Sequence, residues 1–287
     1  MKQRVGIIGV GLMGHGVAKN IALKGWPLGY LRHPGNQPTG DLDELGAVAY
    51  DTIVELAAQR DIIVLCVTGS AQVEEIIVNS GLLGTLRPDM VIIDCSTANP
   101  ASTVVLARKV AETGAHFVDA AMTRTPKEAE EGRLNLLVGG DPRIVESVKP
   151  LLSAFAESIF EAGGVGTGHQ LKLLHNYVSL GSITLIAEAV ACAMRGGVSM
   201  DALVDCLAKG GGGGVALERL RPSIVSGDSG QLRFTIANAA KDLSYYRAMA
   251  GDLNAPVSVA DGVLATLQKL IERGKGDAFV PEQIRLL

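Results

Sequence analysis

Aromatic side chains fill only 4% of the 287 positions, and cysteine occurs just four times. Cys66, Cys95, Cys192 and Cys206 show no CxxC spacing, and three of them sit inside apolar runs. That pattern reads as packed thiols in a reducing compartment, not as a disulfide framework or a metal site. Charge of one sign is also lacking: 26 basic residues oppose 30 acidic ones, for a net charge of −4, and the signs are interspersed. A polyanion-binding surface is thereby excluded, so neither nucleic acid nor membrane is expected as a partner. No apolar run reaches the roughly 18 residues that a membrane span needs. The longest, Val178 to Met194, is interrupted by Glu188 and small residues and reads as a buried helix. A basic segment followed by an apolar one is missing before Val5-Gly6-Ile7-Ile8-Gly9. The expectation is a soluble, cytoplasmic protein.

What is present is apolar bulk, 47% of residues against 20% charged, which suits a packed globular chain. Its length exceeds what one core usually serves, so two domains are expected. Short β-branched runs at 4–10, 27–31, 47–50, 61–67, 90–94, 116–119 and 134–138 read as strands. They alternate with helical stretches such as Met13–Lys24, where Val17, Ile21 and Lys24 share a face and Gly25 is a stop signal. Alternation of this kind predicts an α/β fold with a doubly wound, mainly parallel sheet. After Gly163-Gly164-Val165-Gly166 the pattern turns helical with hardly any strand signal. The boundary is placed at 164, giving an α/β domain over 1–164 and an all-helical domain over 165–287. Thr167-Gly168-His169-Gln170 reads as a capping box that opens a long helix towards Arg195. Gly210 to Gly214 reads as a mobile loop between helices.

The first strand candidate runs into Gly9-Val10-Gly11-Leu12-Met13-Gly14, a GxGxxG that opens a helix. Gly9 permits the turn, Gly11 lets backbone approach a pyrophosphate, and Gly14 allows close helix–strand packing. The motif in this position predicts a Rossmann-type dinucleotide site. A tight strand–helix turn in an unrelated α/β domain is the competing explanation, but glycines at all three offsets have little packing purpose without a ligand. Beyond the second strand stand Arg32 and His33, where an NAD site usually carries a carboxylate; Asp41 is too far along. A guanidinium suits the 2′-phosphate of NADP, so NADP(H) is favoured. Stacking of Arg32 on adenine would leave NAD(H) open.

The glycine loop, together with Gly166-Thr167-Gly168-His169-Gln170-Leu171-Lys172 and Asn176, resembles the β-hydroxyacid dehydrogenase family along nearly the whole chain. The resemblance implies that Lys172 is the catalytic acid/base and that Asn176 helps to hold substrate. Independently, Lys172 and Asn176 form an i, i+4 pair on one helix face. In a low-dielectric cleft beside a cationic nicotinamide, an ammonium would have a lowered pKa and could exchange a proton with a developing alkoxide. A solvent-facing lysine in a first helical turn is the bland alternative. Lys172 with His175 and Asn176 also resembles the related 6-phosphogluconate dehydrogenases. The resemblance further puts Ser96 and Thr97 beside nicotinamide and substrate, although either could cap the next helix. It makes Val67 and Thr68 line the cofactor groove and brings Lys241, in Lys241-Asp242-Leu243, towards the cofactor. An exposed charged pair is the alternative for Lys241.

One segment departs from the family. Its substrate loop usually reads close to Asp-Ala-Pro-Val-Ser-Gly-Gly; here Asp119 to Pro126 puts Thr123 in place of the serine and Arg124 and Thr125 in place of the glycines. Thr123 can still donate to a carboxylate, and Arg124 could hold a carboxylate or sulfonate bidentately. The Arg124-Thr125 pair resembles sulfolactaldehyde reductases of the same family; a surface pairing of Arg124 with Glu128 or Glu130 is the alternative. The implied substrate is a small anionic hydroxyacid or semialdehyde, with no metal. Imine reduction and a catalytically silent dinucleotide-binding module are the rival functions. The apolar helix from Val178 suggests a homodimer or homotetramer.

Overall fold

The computed structural model describes residues 2–287, which form two compact units, one up to Lys172 and one from Leu173 onward. In the first, strands and helices alternate: β1 (Val5–Ile8), α1 (Gly14–Leu23), β2 (Leu28–Leu31), α2 (Gly40–Glu44), β3 (Val48–Tyr50), α3 (Ile53–Ala58), β4 (Ile62–Leu65), α4 (Ser70–Glu74), α5 (Leu82–Thr85), β5 (Val91–Asp94) and α6 (Pro100–Ala111). Then follow β6 (His116–Thr123), α7 (Pro126–Glu130), β7 (Leu134–Gly139), α8 (Pro142–Leu152) and β8 (Ala156–Gly163). One sheet of eight strands results, ordered β3-β2-β1-β4-β5-β6-β7-β8. Every pairing is parallel except β6 with β7.

The central strands are continuous apolar runs because helices cover both faces of a parallel sheet. All residues of β1, β4 and β5 are buried. Alternate side chains feed two cores: Ile7, Val64 and Ile93 on one face, Ile8, Ile63, Leu65 and Ile92 on the other. Strand order reverses between β1 and β4, the point where doubly wound sheets bind ligands beyond their carboxyl ends.

Two strand expectations need correction. β6 continues past Asp119 to Thr123, so the segment read as a substrate loop is largely strand. β8 carried no strand signal, because it is an edge strand whose Glu157 and Glu161 interrupt the alternation.

The start of the long helix α9 (Thr167–Arg195) belongs to the sheet unit, and its cap differs from the expected box. Thr167 donates its hydroxyl to Gly164 O at 2.7 Å. The first-turn amides are instead satisfied by Asp119 of β6, which accepts from Gly166 N at 2.7 Å and His169 N at 2.9 Å. This tie carries the packing boundary beyond residue 164 and into α9. A further correction concerns hydropathy. By length and composition α9 is apolar enough to cross a membrane, with a mean hydropathy of 1.6 over 18 residues and 33% of that window buried. One glutamate does not offset so many Leu, Ile, Val and Ala.

In the second unit, α9 is followed by α10 (Met200–Lys209), α11 (Val215–Val225), α12 (Ile236–Asp252), α13 (Ser258–Glu272) and α14 (Gln283–Leu286). Gly210 to Gly214 links α10 to α11. The core packs Leu180, Ile183, Ala187 and Val190 of α9 with Leu217, Leu220, Leu243 and Leu267.

Candidate functional site

At the reversal point, the three glycines of the loop have different reasons to be there. A Cβ on Gly9 would lie 2.2 Å from Cys66 O, and one on Gly14 only 1.9 Å from Gly9 O. Both are therefore demanded by packing, and Gly9 also takes φ +101°. The expectation that all three glycines need a ligand is thus narrowed to one. A Cβ on Gly11 would meet nothing closer than Gly35 O at 3.9 Å, leaving an open cradle. Val10 is fixed by Asn36, whose Oδ1 accepts from Val10 N at 3.3 Å, and by Gln37 N donating to Val10 O at 2.7 Å. Leu12 is exposed. Among the described residues, no side chain caps α1 at Met13 and its first turn holds no acid. The His15 amide turns back to Gly11 O at 2.9 Å, and the dipole of the uncapped start faces outward, suited to an anion.

Arg32 follows β2 and pairs with Asp51 at 2.8 Å, both well exposed. Asp51 was missed because it lies far from Arg32 in sequence. The register Leu31↔Tyr50 of two parallel strands is the signal that would have placed it there. His33 Nδ1 accepts from Gly35 N at 3.0 Å. Arg32, His33, Asn36 and Thr39 line an open cavity of about 560 Å³.

Beyond β4 and β5, Ser96 is buried and its hydroxyl oxygen accepts from Val67 N at 3.0 Å. Ser96 thereby pins the strand end that carries Val67 and Thr68. Neither Ser96 nor Thr97 caps α6; Asn99 does, accepting from Ala101 N at 2.9 Å. Burial pushes the Cys66 thiol up to about 12, so it packs as a neutral group.

Thr123 ends β6, nearly buried. Arg124 adopts φ +82° and so keeps the backbone a glycine would give there, at a cost of about 1–2 kcal/mol. Its guanidinium pairs with Glu157 of β8 and donates to Arg133 O at 2.5 Å. The expected pairing with Glu128 or Glu130 is not what forms. Glu128 accepts from Thr125 N at 3.0 Å to cap α7, and Glu130 pairs with His15 and Lys19.

Asp119 is buried, and desolvation pushes its carboxyl above the usual range against the lowering effect of nearby His169 and the amides it accepts. His169 is fully buried and its Nδ1 lies 2.7 Å from Thr103 Oγ1. Lys172, half-buried, stands one turn further along this anchored helix.

In the helical unit, Asn176 Nδ2 donates to Asp242 Oδ2 at 2.6 Å, while Lys241 Nζ lies 3.0 Å from Asp242 Oδ1. His175 Nδ1 and Asn176 Oδ1 are 3.0 Å apart. Lys241 is therefore no simple exposed charge. Asp242, with 2% exposure, is the partner of both Asn176 and Lys241 that sequence reasoning passed over. Its place beside a lysine made it read as a surface charge, and only α12 packing shows it to be buried. Lys172 and Asn176 remain one turn apart on α9.

A glycine turn and an uncapped helix at the reversal of a doubly wound sheet define a dinucleotide-binding protein. Residues 4–164 match the family model described as the NAD binding domain of 6-phosphogluconate dehydrogenase. Residues 166–287 match that described as NAD-binding of NADP-dependent 3-hydroxyisobutyrate dehydrogenase. An uncharacterized oxidoreductase of Synechocystis is 28% identical over 97% of both chains. The 2-hydroxy-3-oxopropionate reductase of Escherichia coli is 33% identical over 68% of this chain and 66% of its own. In structure, the chain is similar to a 3-hydroxyisobutyrate dehydrogenase from Salmonella typhimurium, with a TM-score of 0.87 at 24% identity and full coverage of both. The chain belongs to the β-hydroxyacid dehydrogenase family and is an NAD(P)-dependent oxidoreductase acting on CH–OH groups.

Proposed function

We propose that this chain interconverts a small 3-hydroxyacid anion and its semialdehyde, with Lys172 as general acid/base and NADP(H) as the preferred cofactor. The observation that carries the reading is the anchoring of Lys172. Its helix is held at the start by Asp119, and one turn on, Asn176 is fixed by Asp242. The loop residues fit a dinucleotide, since Gly11 leaves room where Gly9 and Gly14 do not. When bound, the nicotinamide supplies or accepts the hydride.

This chain's own groups do the rest. Amides of the Gly9–Gly14 loop and the start of α1 hold the pyrophosphate, and Arg32 meets the 2′-phosphate after leaving Asp51. Lys172 protonates the carbonyl oxygen as it gains negative charge, or removes that proton in reverse. Asn176 orients the substrate, with its amide direction set by Asp242. The Thr123 hydroxyl and Arg124 hold the acid group, for which the anion competes with Glu157. A homo-oligomer belongs to the same reading, supported by exposed Leu174, Val178 and Leu185 along α9. So does a cytoplasmic setting, on four free thiols, of which Cys95 is packed while Cys192 and Cys206, expected in the interior, are exposed.

The test is Lys172→Ala, assayed against short semialdehydes, sulfolactaldehyde, hydroxyacids and a cyclic imine with both cofactors. Turnover should fall by about 10²–10⁴ with NADPH binding intact. Near-normal turnover would overturn the role of Lys172. Reduction of the imine alone would favour imine reductase. Tight binding without turnover of any substrate by the unmutated protein would favour a silent module.

A further inference from the structure

The first residue after the glycine loop is His15, and its ring is held in an unusual way. Its Nδ1 lies 2.7 Å from Glu130 Oε1 of α7 and its Nε2 lies 3.0 Å from Asp41 Oδ1 of α2. A neutral imidazole has one N–H and one bare nitrogen, so it can donate to only one carboxylate and would turn a lone pair on the other. Two carboxylate partners at hydrogen-bond distance therefore call for a ring protonated on both nitrogens. A cation in the first turn of a helix opposes the helix dipole, so these partners are needed to keep it there. The charged groups that face it are Asp41 and Glu44 of α2, Glu130 of α7 and Lys19 of its own α1. Lys19 Nζ, 3.2 Å from Glu130 and 3.7 Å from Asp41, braces the same two acids from one turn further on.

We infer that His15, as an imidazolium, is a positioning residue that staples the two loops flanking the cofactor loop onto the start of α1. One arm, through Asp41, holds α2 and with it the Arg32–Thr39 segment, which already clasps Val10 through Asn36 and Gln37. The other arm, through Glu130, holds α7 and with it the Thr123–Thr125 turn at the end of β6. Backbone contact between α1 and α7 is close, since a Cβ on Gly16 would lie 2.5 Å from Ala129 C, and Asn20 Nδ2 donates to Ala129 O at 3.0 Å. The Glu130 arm thus adds to a tie that exists, and the Asp41 arm adds to the Tyr30 hydroxyl's bond to Asp43 at 2.7 Å and the burial of Leu42. Burial of the ring opposes its charge, but the hydrogen bonds it donates to Glu130 and Asp41 outweigh this and raise its pKa above the ordinary histidine value. A histidine whose folded pKa is raised contributes its full stabilisation below the unfolded value, and that contribution fades as the pH rises through the folded value. The staple is thus closed below the raised value and opens as the pH rises through it.

The experiment compares the wild type with His15→Gln and His15→Arg, over the range from about pH 6 to about pH 10. Unfolding midpoints of the cofactor-free protein report the staple itself, and NADPH dissociation constants from nucleotide fluorescence report what it positions. The midpoint gap between wild type and His15→Gln should be present at the acid end and close towards the alkaline end. NADPH binding by the wild type should weaken several-fold over the same interval. His15→Gln should already be weak and flat with pH, and His15→Arg, which keeps its charge, should stay tight throughout. A gap that stays constant with pH would overturn the proposal, as would identical pH courses of NADPH binding in wild type and His15→Gln. Failure of the wild type to bind NADPH at any pH would count against the cofactor preference instead, and the cofactor-free midpoints would still decide the staple.

Discussion

Helices α1 and α9 both start at the carboxyl ends of strands in the same unit, yet their first turns are provided for in opposite ways. At α1, Gly11 clears the approach and, among the described residues, no side chain caps the helix start. At α9, the chain supplies its own anion, as Asp119 accepts from Gly166 N and His169 N. An unsatisfied helix start is costly unless something outside the helix meets it. The difference teaches that α1 is arranged to receive a ligand's charge, whereas α9 is arranged to stay where it is. A binding element and a holding element are thereby told apart by who satisfies their amides.

Substitutions can break or sharpen that contrast. The largest effect is expected from Gly14→Ala, since its new Cβ would fall onto backbone rather than a yielding side chain. Loss of about 3 kcal/mol or more, read from denaturant unfolding, should result. Unchanged stability would show that the loop has slack.

Next comes Asp119→Asn, which leaves one of the two α9 amides facing an NH2 group. A loss of about 1–3 kcal/mol is expected for a buried donor left unmade. Because burial raises the Asp119 pKa, the native state takes up a proton before the unfolded chain does as the pH falls. Wild type should therefore gain on Asp119→Asn as the solution is acidified through that raised value. A gap that narrows in acid would mean that the accepted amides dominate over burial.

The smallest effect belongs to Asp51→Asn at the exposed end of the cofactor segment. Freeing Arg32 from a surface ion pair worth about 0–1 kcal/mol should tighten NADPH by a few-fold at most and leave NADH nearly unchanged. Equal changes for both cofactors would remove Arg32 from phosphate recognition.

Much of this was legible in the residues. Continuous apolar strands, the glycine offsets and the switch to helical periodicity are local patterns, and they specified the doubly wound sheet and its helical successor. Pairings across long separations were not legible. Asp119 as the cap of α9, Asp51 beside Arg32 and Asp242 beneath Asn176 each depend on register or packing that no local window contains. Arg124 shows a subtler limit. It stands where the family carries a glycine, and the chain accepts the left-handed strain and commits the side chain to Glu157, not to the nearby Glu128 or Glu130. The edge strand β8 escaped for a related reason, because charges that protect an edge erase the alternation that announces a strand.

The open start of α1 is tested most directly by Gly11→Ala, with NADPH affinity and the unfolding midpoint measured on the same preparation. The new methyl enters empty space, so the midpoint should hold while binding weakens by about tenfold or more. Unaltered binding, or binding lost only in step with stability, would contradict the assignment of that cradle to the dinucleotide.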